Sequence, residues 1–292
     1  MRLLITGASG LLGGYLLRTL AGSDHAVVAW SGPTATQSTE TNMVPVDLAD
    51  RDTVAAAFAA ARPDAVLHAA AVSSVARCFQ QPAHARAVNV GGTQLLTELA
   101  VAAKARLLFV STDLVFDGQR GGYREDDAPA PLSIYGQTKL AAEQMVLSSP
   151  RTAVARVSLL FGPGLGQRRG FFDEQLAALR AGRPCQLFID EWRAPLALST
   201  AAEALVALAV SDFEGLLHLG GPERMSRWEM GARLAAQLRC DASACLPVPR
   251  ATMPAPEPRP RDNSLDSSRW RALMPSVRWP RFEEALSEMG VV

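Results

Sequence analysis

Tyr135 and Lys139 stand four residues apart in Ile134-Tyr135-Gly136-Gln137-Thr138-Lys139, so on a helix they share one face, about one turn apart. A phenol next to an ammonium is a proton-transfer pair. A free tyrosine ionises at about pH 10, and a neighbouring cation stabilises the phenolate and lowers that value. Thr112 ends the run Arg106 to Ser111, which reads as a strand, and its hydroxyl can donate to an oxygen that becomes anionic during reaction. In this scheme Tyr135 is the general acid that protonates a carbonyl oxygen as hydride reaches its carbon. Asp113 follows Thr112 directly.

Hydride chemistry needs a nucleotide cofactor, and the N-terminus supplies a place for one. Thr6-Gly7-Ala8-Ser9-Gly10-Leu11-Leu12-Gly13 follows an apolar run and opens a helix, with spacing G-x-x-G-x-x-G. Glycine permits the tight turn and lets backbone approach a pyrophosphate, which then faces the free N–H groups of the helix start. This places Gly7, Ser9 and Gly10 at the phosphates, and Lys139 can hold a cofactor ribose. At the end of the second strand stands Trp30-Ser31-Gly32, with no carboxylate to repel a ribose 2'-phosphate. Ser31 can donate to such a phosphate or be a plain turn residue. No arginine stands beside it, so the tilt towards NADP over NAD is slight. Asp47 either accepts from an adenine amino group or simply leads into a helix. His68-Ala69-Ala70-Ala71 ends a strand with small side chains that leave room for cofactor, and His68 itself reads as a satisfied buried histidine. Asn89, in a helix interior, reads as a tie at the site's edge.

The elements that position these residues alternate as βαβα. Strands are expected over residues 2–6, 26–30, 65–69, 106–111 and 153–159, with helices over 11–21, 52–61 (capped by Asp50), 86–103 and 134–148. The Gly-, Pro- and Asp-rich stretch 117–132 is a long loop, and loops of that length tend to be functional. Past Phe161 the pattern becomes irregular: a helix over 171–181, a strand over 184–190, a helix over 200–210 and a strand over 216–219. Six prolines in residues 247–260 exclude regular helix there. The expected fold is α/β, a Rossmann-like doubly wound parallel sheet with a smaller, discontinuous α/β substrate-binding domain. Residues 1–160 form the NAD(P)-binding part, 199–220 return to it, and 161–198 with 221–292 form the substrate region.

Composition narrows the partners. Lys plus Arg equals Asp plus Glu at 29 each, so no global field draws the chain to nucleic acid or an anionic membrane. The four cysteines form no CxxC pair and read as free thiols. No apolar run reaches the roughly 18 residues of a membrane span, and no metal-ligand cluster is evident. A soluble, cytoplasmic protein acting on a small molecule is expected, with helices available for a homodimer.

Together TGASGLLG, HAAA, NVGGT, STD and YGQTK resemble the extended short-chain dehydrogenase/reductases, Rossmann enzymes acting largely on nucleotide sugars. STDLVFDG, IYGQTKLAAE, RVSLLFG, DEWRAPL and PRPRDNSLD look most like the dTDP-4-dehydrorhamnose reductases among them, which reduce a 4-keto sugar with NADH or NADPH. That resemblance implies a catalytic trio of Thr112, Tyr135 and Lys139, with Asp113 beside the substrate. It also implies cofactor contacts from Gly10, Leu11, Leu12, Asp47, Leu48, Ala70, Ala71 and Val72. Leu159 stands where many of these reductases carry Trp, and Trp192-Arg193 where they more often have an aromatic followed by Gly. Arg259 and Arg261 either clamp a substrate diphosphate as planar donor forks or are solvated loop arginines. Three readings result: an NAD(P)H-dependent reductase of a nucleotide-linked 4-keto-6-deoxysugar, an epimerase or dehydratase using bound NAD, and a non-catalytic cofactor-binding subunit.

Overall fold

The computed structural model describes residues 1–33 and 42–292. Its first part runs β1 (Arg2–Thr6), α1 (Leu11–Leu20), β2 (Ala26–Ser31), β3 (Val44–Pro45), α2 (Arg51–Ala61), β4 (Ala65–His68), α3 (Val75–Gln80), α4 (Pro82–Arg86), α5 (Thr93–Ala102), β5 (Arg106–Thr112), α6 (Ile134–Leu147) and β6 (Thr152–Val157). The remainder adds β7 (Leu160–Phe161), α7 (Phe171–Arg180), β8 (Cys185–Phe188), β9 (Trp192–Arg193), β10 (Leu196–Ala197), α8 (Leu198–Ala209) and β11 (Gly215–Leu219). β12 (Met225–Ser226), α9 (Arg227–Gln237), β13 (Cys245–Val248), α10 (Ser268–Leu273) and α11 (Phe282–Glu288) complete it.

Seven parallel strands form the main sheet in the order β11-β6-β5-β4-β1-β2-β3. Its central strands read as unbroken apolar runs because both faces are covered. Leu3, Ile5, Leu67 and Leu108 pack with Leu16 of α1 and Leu205 of α8 on one face, and Leu4, Val66 and Phe109 with Val54, Leu96 and Val146 on the other. The strand order reverses between β1 and β4, so the ends of these strands open a crevice where open α/β sheets take ligands. Asp50 caps α2 by accepting from the N–H groups of Asp52 and Thr53. β11 joins the main sheet beside β6, with Gly215 opposite Ala153.

The structure departs from the expected elements in three places. The helix expected from residue 86 starts earlier, at α4, and widens to a π turn over Ala87–Gly92 before α5. Gly92 at the end of that turn lies close against Leu48, where a Cβ would be 2.8 Å from the Leu48 side chain and carbonyl. Residues 245–248 pair as β13 with β8, ahead of the irregular proline-rich stretch. Pro247 is tolerated because this two-stranded ladder leaves one side unpaired. Finally, α3, α9, α10 and α11 lie outside the expected elements, although α9 opens with a Ser226-x-x-Glu229 capping box. α9 and α11 bury Leu234, Phe282 and Leu286 with Phe161 and Phe172 in a separate apolar cluster. Among the described residues no helix is long and apolar enough to cross a membrane.

Candidate active site

Three glycines shape the turn between β1 and α1. Gly7 has φ +72° and a Cβ there would sit 2.8 Å from the Ala70 backbone nitrogen, while one on Gly13 would sit 2.2 Å from the Gly7 carbonyl oxygen. A side chain at Gly7 would strike the backbone after β4, and one at Gly13 would push α1 off the turn. Gly10 starts α1 with no side-chain cap, and the first turn holds no acidic residue. The helix therefore offers uncapped N–H groups and its positive end to a cleft of about 640 Å³.

That cleft is lined by Gly7, Ser9, Gly10, Leu11, Leu12, Ser31, Asp47, Leu48, Ala70, Ala71, Val72, Tyr135 and Lys139, all singled out in the sequence. Asn89, Thr112, Asp113, Arg259 and Arg261 are not among its lining residues. Arg77 and His84, from α3 and α4, line it as well, bringing a guanidinium and an imidazole to a cleft where the sequence showed neither next to Ser31. Only the chain's path could reveal them, because they lie far from Ser31 in sequence.

The floor of the cleft is held by a buried hydrogen-bond chain. The Ala70 N–H donates to Thr6 Oγ1, Thr6 pairs with His68 Nδ1 at 2.7 Å, His68 Nε2 pairs with Thr93 Oγ1 at 2.9 Å, and Thr93 donates to the Asn89 carbonyl. This order puts the imidazole proton on Nε2. His68 is fully buried and its pKa is pulled down to about 3 by burial, with Lys139 adding in the same direction. It is a neutral core histidine. Asn89 accepts from the Val72 N–H at 2.8 Å and donates to the Val72 carbonyl and Thr138 Oγ1. It thus ties the loop after β4 to the helix that carries Tyr135, and touches the cleft only through Val72.

α6 is set against the end of β5 by a missing side chain: a Cβ on Gly136 would lie 2.3 Å from the Leu114 carbonyl oxygen. Ser133 caps the helix by accepting from the Gly136 N–H, and Glu257 Oε1, reaching in from the proline-rich stretch, accepts from the Ile134 N–H at 2.7 Å. Burial, then Asp113 and Cys78, push the pKa of the Tyr135 phenol up, and the nearby Thr112 hydroxyl works against them. The Lys139 ammonium does not lower it as the spacing suggested, because Nζ turns away to the Val110 carbonyl at 2.6 Å and lies 3.8 Å from the centre of the Phe109 ring. Burial pulls the Lys139 pKa down to about 7, with Glu143 opposing. Glu143, next in the same i+4 stripe, makes a buried fork with Arg156 of β6, at 2.7 Å for its shortest bond. In the sequence, only the i+4 spacing of Glu143 from Lys139 marks that pair.

Beyond Thr112 the site is charged. Asp113 is buried, accepts from Ser158 Oγ at 3.1 Å and from Thr112, and lies 3.5 Å from Arg193 Nε. Burial raises its pKa to about 6, with Arg193 and the two hydroxyls opposing. Arg193, the residue that stands where glycine is more usual, also lies 3.5 Å from Glu191. Arg227 lies over the Phe171 ring at 4.1 Å, and its Nη1 is buried without a hydrogen-bond partner. Burial pulls its pKa down to about 10, Glu191 opposing and Arg193 adding. Asn263 of the late segment donates to the Asp113 and Phe116 carbonyls, lacing that segment to the loop after β5. The expected diphosphate forks sit outside this cluster: Arg259 lies over Phe188 at 5.2 Å, and Arg261 is exposed. Among the described residues, no group of three His, Cys, Asp or Glu side chains is arranged to hold a metal.

Residues 1–290 match the family described as RmlD substrate binding domain. The chain is 33% identical over 288 residues to a dTDP-4-dehydrorhamnose reductase of Mycobacterium tuberculosis, covering 95% of this chain and 90% of that one. It is 29% identical to methionine adenosyltransferase 2 subunit beta of Rattus norvegicus, covering 96% of this chain and 84% of the relative. A solved structure described as a hypothetical dTDP-4-dehydrorhamnose reductase from Sulfolobus tokodaii superimposes with a TM-score of 0.86 at 28% identity, covering 97% and 99% of the two chains. Glycine turn and Tyr-x-x-x-Lys helix meet at one crevice, and the match runs nearly end to end: the chain belongs to the RmlD substrate binding domain family.

Proposed function

We propose that this chain is an NAD(P)H-dependent reductase of a nucleotide-linked 4-keto-6-deoxysugar, with Tyr135 as the general acid. One observation carries the reading: the cleft under the uncapped start of α1 also contains Tyr135 and Lys139, with the Thr112 hydroxyl near the phenol. The glycine turn and the small residues Ala70 and Ala71 leave room that fits a dinucleotide. Gly7, Ser9, Gly10, Leu11 and Leu12 would hold its phosphates, Asp47 and Leu48 its adenine end, and Lys139 its nicotinamide ribose. When bound, the reduced nicotinamide supplies hydride.

The protein's part is the proton and the oxyanion. A phenol whose pKa is pushed up by burial and a nearby carboxylate stays protonated at neutral pH, which suits a donor rather than a base. As the ketone oxygen becomes anionic, the Tyr135 O–H releases its proton to it, and Thr112 steadies the same oxygen. Asp113, held by Ser158 and Arg193, sits behind Thr112 on the substrate side. Arg77 and His84 in the cleft, with no carboxylate at the end of β2, support NADP over NAD. The division we propose places residues 1–160 and 199–220 on the cofactor side and residues 161–198 and 221–292 on the sugar side. The cytoplasm, where four thiols stay reduced, is the matching compartment.

The rat relative's name favours a second reading, a non-catalytic subunit. Intact Tyr135, Lys139 and Thr112 support catalysis instead. Nucleoside-diphosphate 4-keto-6-deoxysugars, screened one at a time while NADPH absorbance is followed, test the proposal. Loss of one NADPH per ketone is expected for at least one sugar. Product formed without net NADPH loss would transfer the chain to the epimerase or dehydratase reading, and no turnover of any sugar would contradict the reductase.

A further inference from the structure

We propose that Arg168, on the loop between β7 and α7, is a positioning residue for the cofactor diphosphate: it grips the carbonyl side of the glycine turn and so aims the N–H side at the anion. The proposal rests on the dinucleotide reading of the cleft. Arg168 Nε donates to the Ser9 carbonyl at 3.1 Å and Nη2 to the Ala8 carbonyl at 3.2 Å. One planar fork therefore holds two successive peptide units.

Peptide geometry gives those bonds a consequence on the far side of the turn. In a trans peptide the C=O and the following N–H point in opposite directions, and among the described residues no peptide is cis. With the Ala8 carbonyl on Arg168, the Ser9 N–H faces away from the guanidinium. Among the described residues no backbone carbonyl takes that N–H, and Ser9 lines the cleft whereas Arg168 does not. With the Ser9 carbonyl fixed as well, the Gly10 N–H stays in its 2.9 Å bond to the Gly7 carbonyl, which keeps the turn closed.

The loop is built to hold Arg168 there. Asp173 accepts from the Gly164 N–H at 2.8 Å and the Gly170 N–H at 2.9 Å, pinching the loop at both ends, and the Tyr15 hydroxyl donates to the Pro163 carbonyl at 2.8 Å. The Arg168 stem then crosses Gly14, where a Cβ would come within 3.2 Å of its Cδ. A guanidinium is thereby placed against the first turns of a ten-residue helix whose start has neither an acidic residue nor a side-chain cap. Positive charge at a positive helix end is unfavourable until an anion arrives. The Ala8 and Ser9 carbonyls offset that in the free protein, and a diphosphate on the opposite face completes the balance.

NADPH, titrated by its own fluorescence into the wild-type chain and the Arg168→Ala, Arg168→Lys and Arg168→Gln variants, tests this without turnover. Losing one charge-assisted grip should raise the NADPH dissociation constant about tenfold in Arg168→Ala. Lysine keeps the charge but loses the fork, so Arg168→Lys should fall between wild type and Arg168→Ala. A mere loop staple would lower the melting temperature of the free protein and leave NADPH affinity alone. NADPH binding in folded Arg168→Lys and Arg168→Gln equal to wild type would overturn the proposal. Failure of the wild-type chain itself to bind NADPH or NADH would instead overturn the cofactor reading beneath it.

Discussion

Around Gly7, Gly10 and Gly13 the cleft wall is backbone and apolar side chains, whereas beyond Thr112, outside the cleft lining, stands a cluster of charges, Asp113, Glu191, Arg193 and Arg227, much of it buried. On the function proposed, the first surface would meet its ligand with peptide N–H groups whose direction is fixed by the turn. The second would do so with side chains that neutralise one another and are sensitive to which partner is missing. Backbone recognition tolerates sequence change outside the glycines, while a charge cluster retunes with a single substitution. That reading assigns reaction type to the cofactor side and sugar choice to the other.

Tyr135 stands between the two, and Tyr135→Phe should have the largest effect. It removes the proton but no cofactor contact except the phenol, so turnover should fall by about 10²-fold or more with NADPH affinity nearly unchanged. A variant that turns over normally would remove Tyr135 from the mechanism. On the cofactor side, Lys139→Ala should weaken NADPH binding and turnover together. A loss confined to one of them in steady-state and binding measurements would separate the ribose contact from the chemistry.

On the charged side, Arg193→Gly should raise the sugar KM by about tenfold and leave NADPH affinity alone. Arg193 lowers the Asp113 pKa, so its removal should also move any acid limb of the KM profile to higher pH. An unshifted profile would detach Arg193 from Asp113.

Stability against acid sharpens the same contrast. His68, under the cofactor floor, and His218, bonded to the Tyr123 carbonyl beside Arg156, both have their pKa lowered from 6.5 to about 3, chiefly by burial. Folded-state values below unfolded ones mean stability is full above pH 6.5 and is lost as pH falls towards 3. Each histidine contributes at most about 1.4 kcal/mol per pH unit in that window. Asp113 opposes them: its pKa is raised from 3.8 to about 6, so it favours the folded state as pH falls through that interval. Urea midpoints should decline below pH 6.5 with a net slope of about one proton, and Asp113→Asn should steepen it. A flat acid limb in wild type would contradict the buried neutral histidines. The smallest effect is cofactor choice: NADPH should bind severalfold better than NADH, and Arg77→Ala should narrow the gap. A strong NADH preference would remove Arg77 from that role.

The same division explains what the sequence made legible. Gly7 and Gly13 are read locally, because a positive φ and a close backbone approach admit no other residue. Tyr135 and Lys139 follow from helix periodicity, and the parallel sheet from apolar runs such as Arg2–Thr6 and Arg106–Thr112. Arg193 was visible as an unusual residue, yet its pairing with Asp113 depends on β9 meeting the end of β5, which no local pattern encodes. Arg227 and Glu257 went unnoticed for the same reason. Arg259 and Arg261 stand out through their residue type, while Arg227, closer to Asp113's partners, opens a helix outside the expected elements. The close approach of Gly92 to Leu48 likewise depends on a distant neighbour.

Isotope transfer tests the central claim most directly. NADPH carrying deuterium at the transferable nicotinamide position, incubated with a nucleoside-diphosphate 4-keto-6-deoxysugar, should leave one deuterium on the sugar carbon that was the ketone, with one NADPH consumed per label. Product that carries no deuterium, or forms with the added NADPH intact, would contradict a reductase.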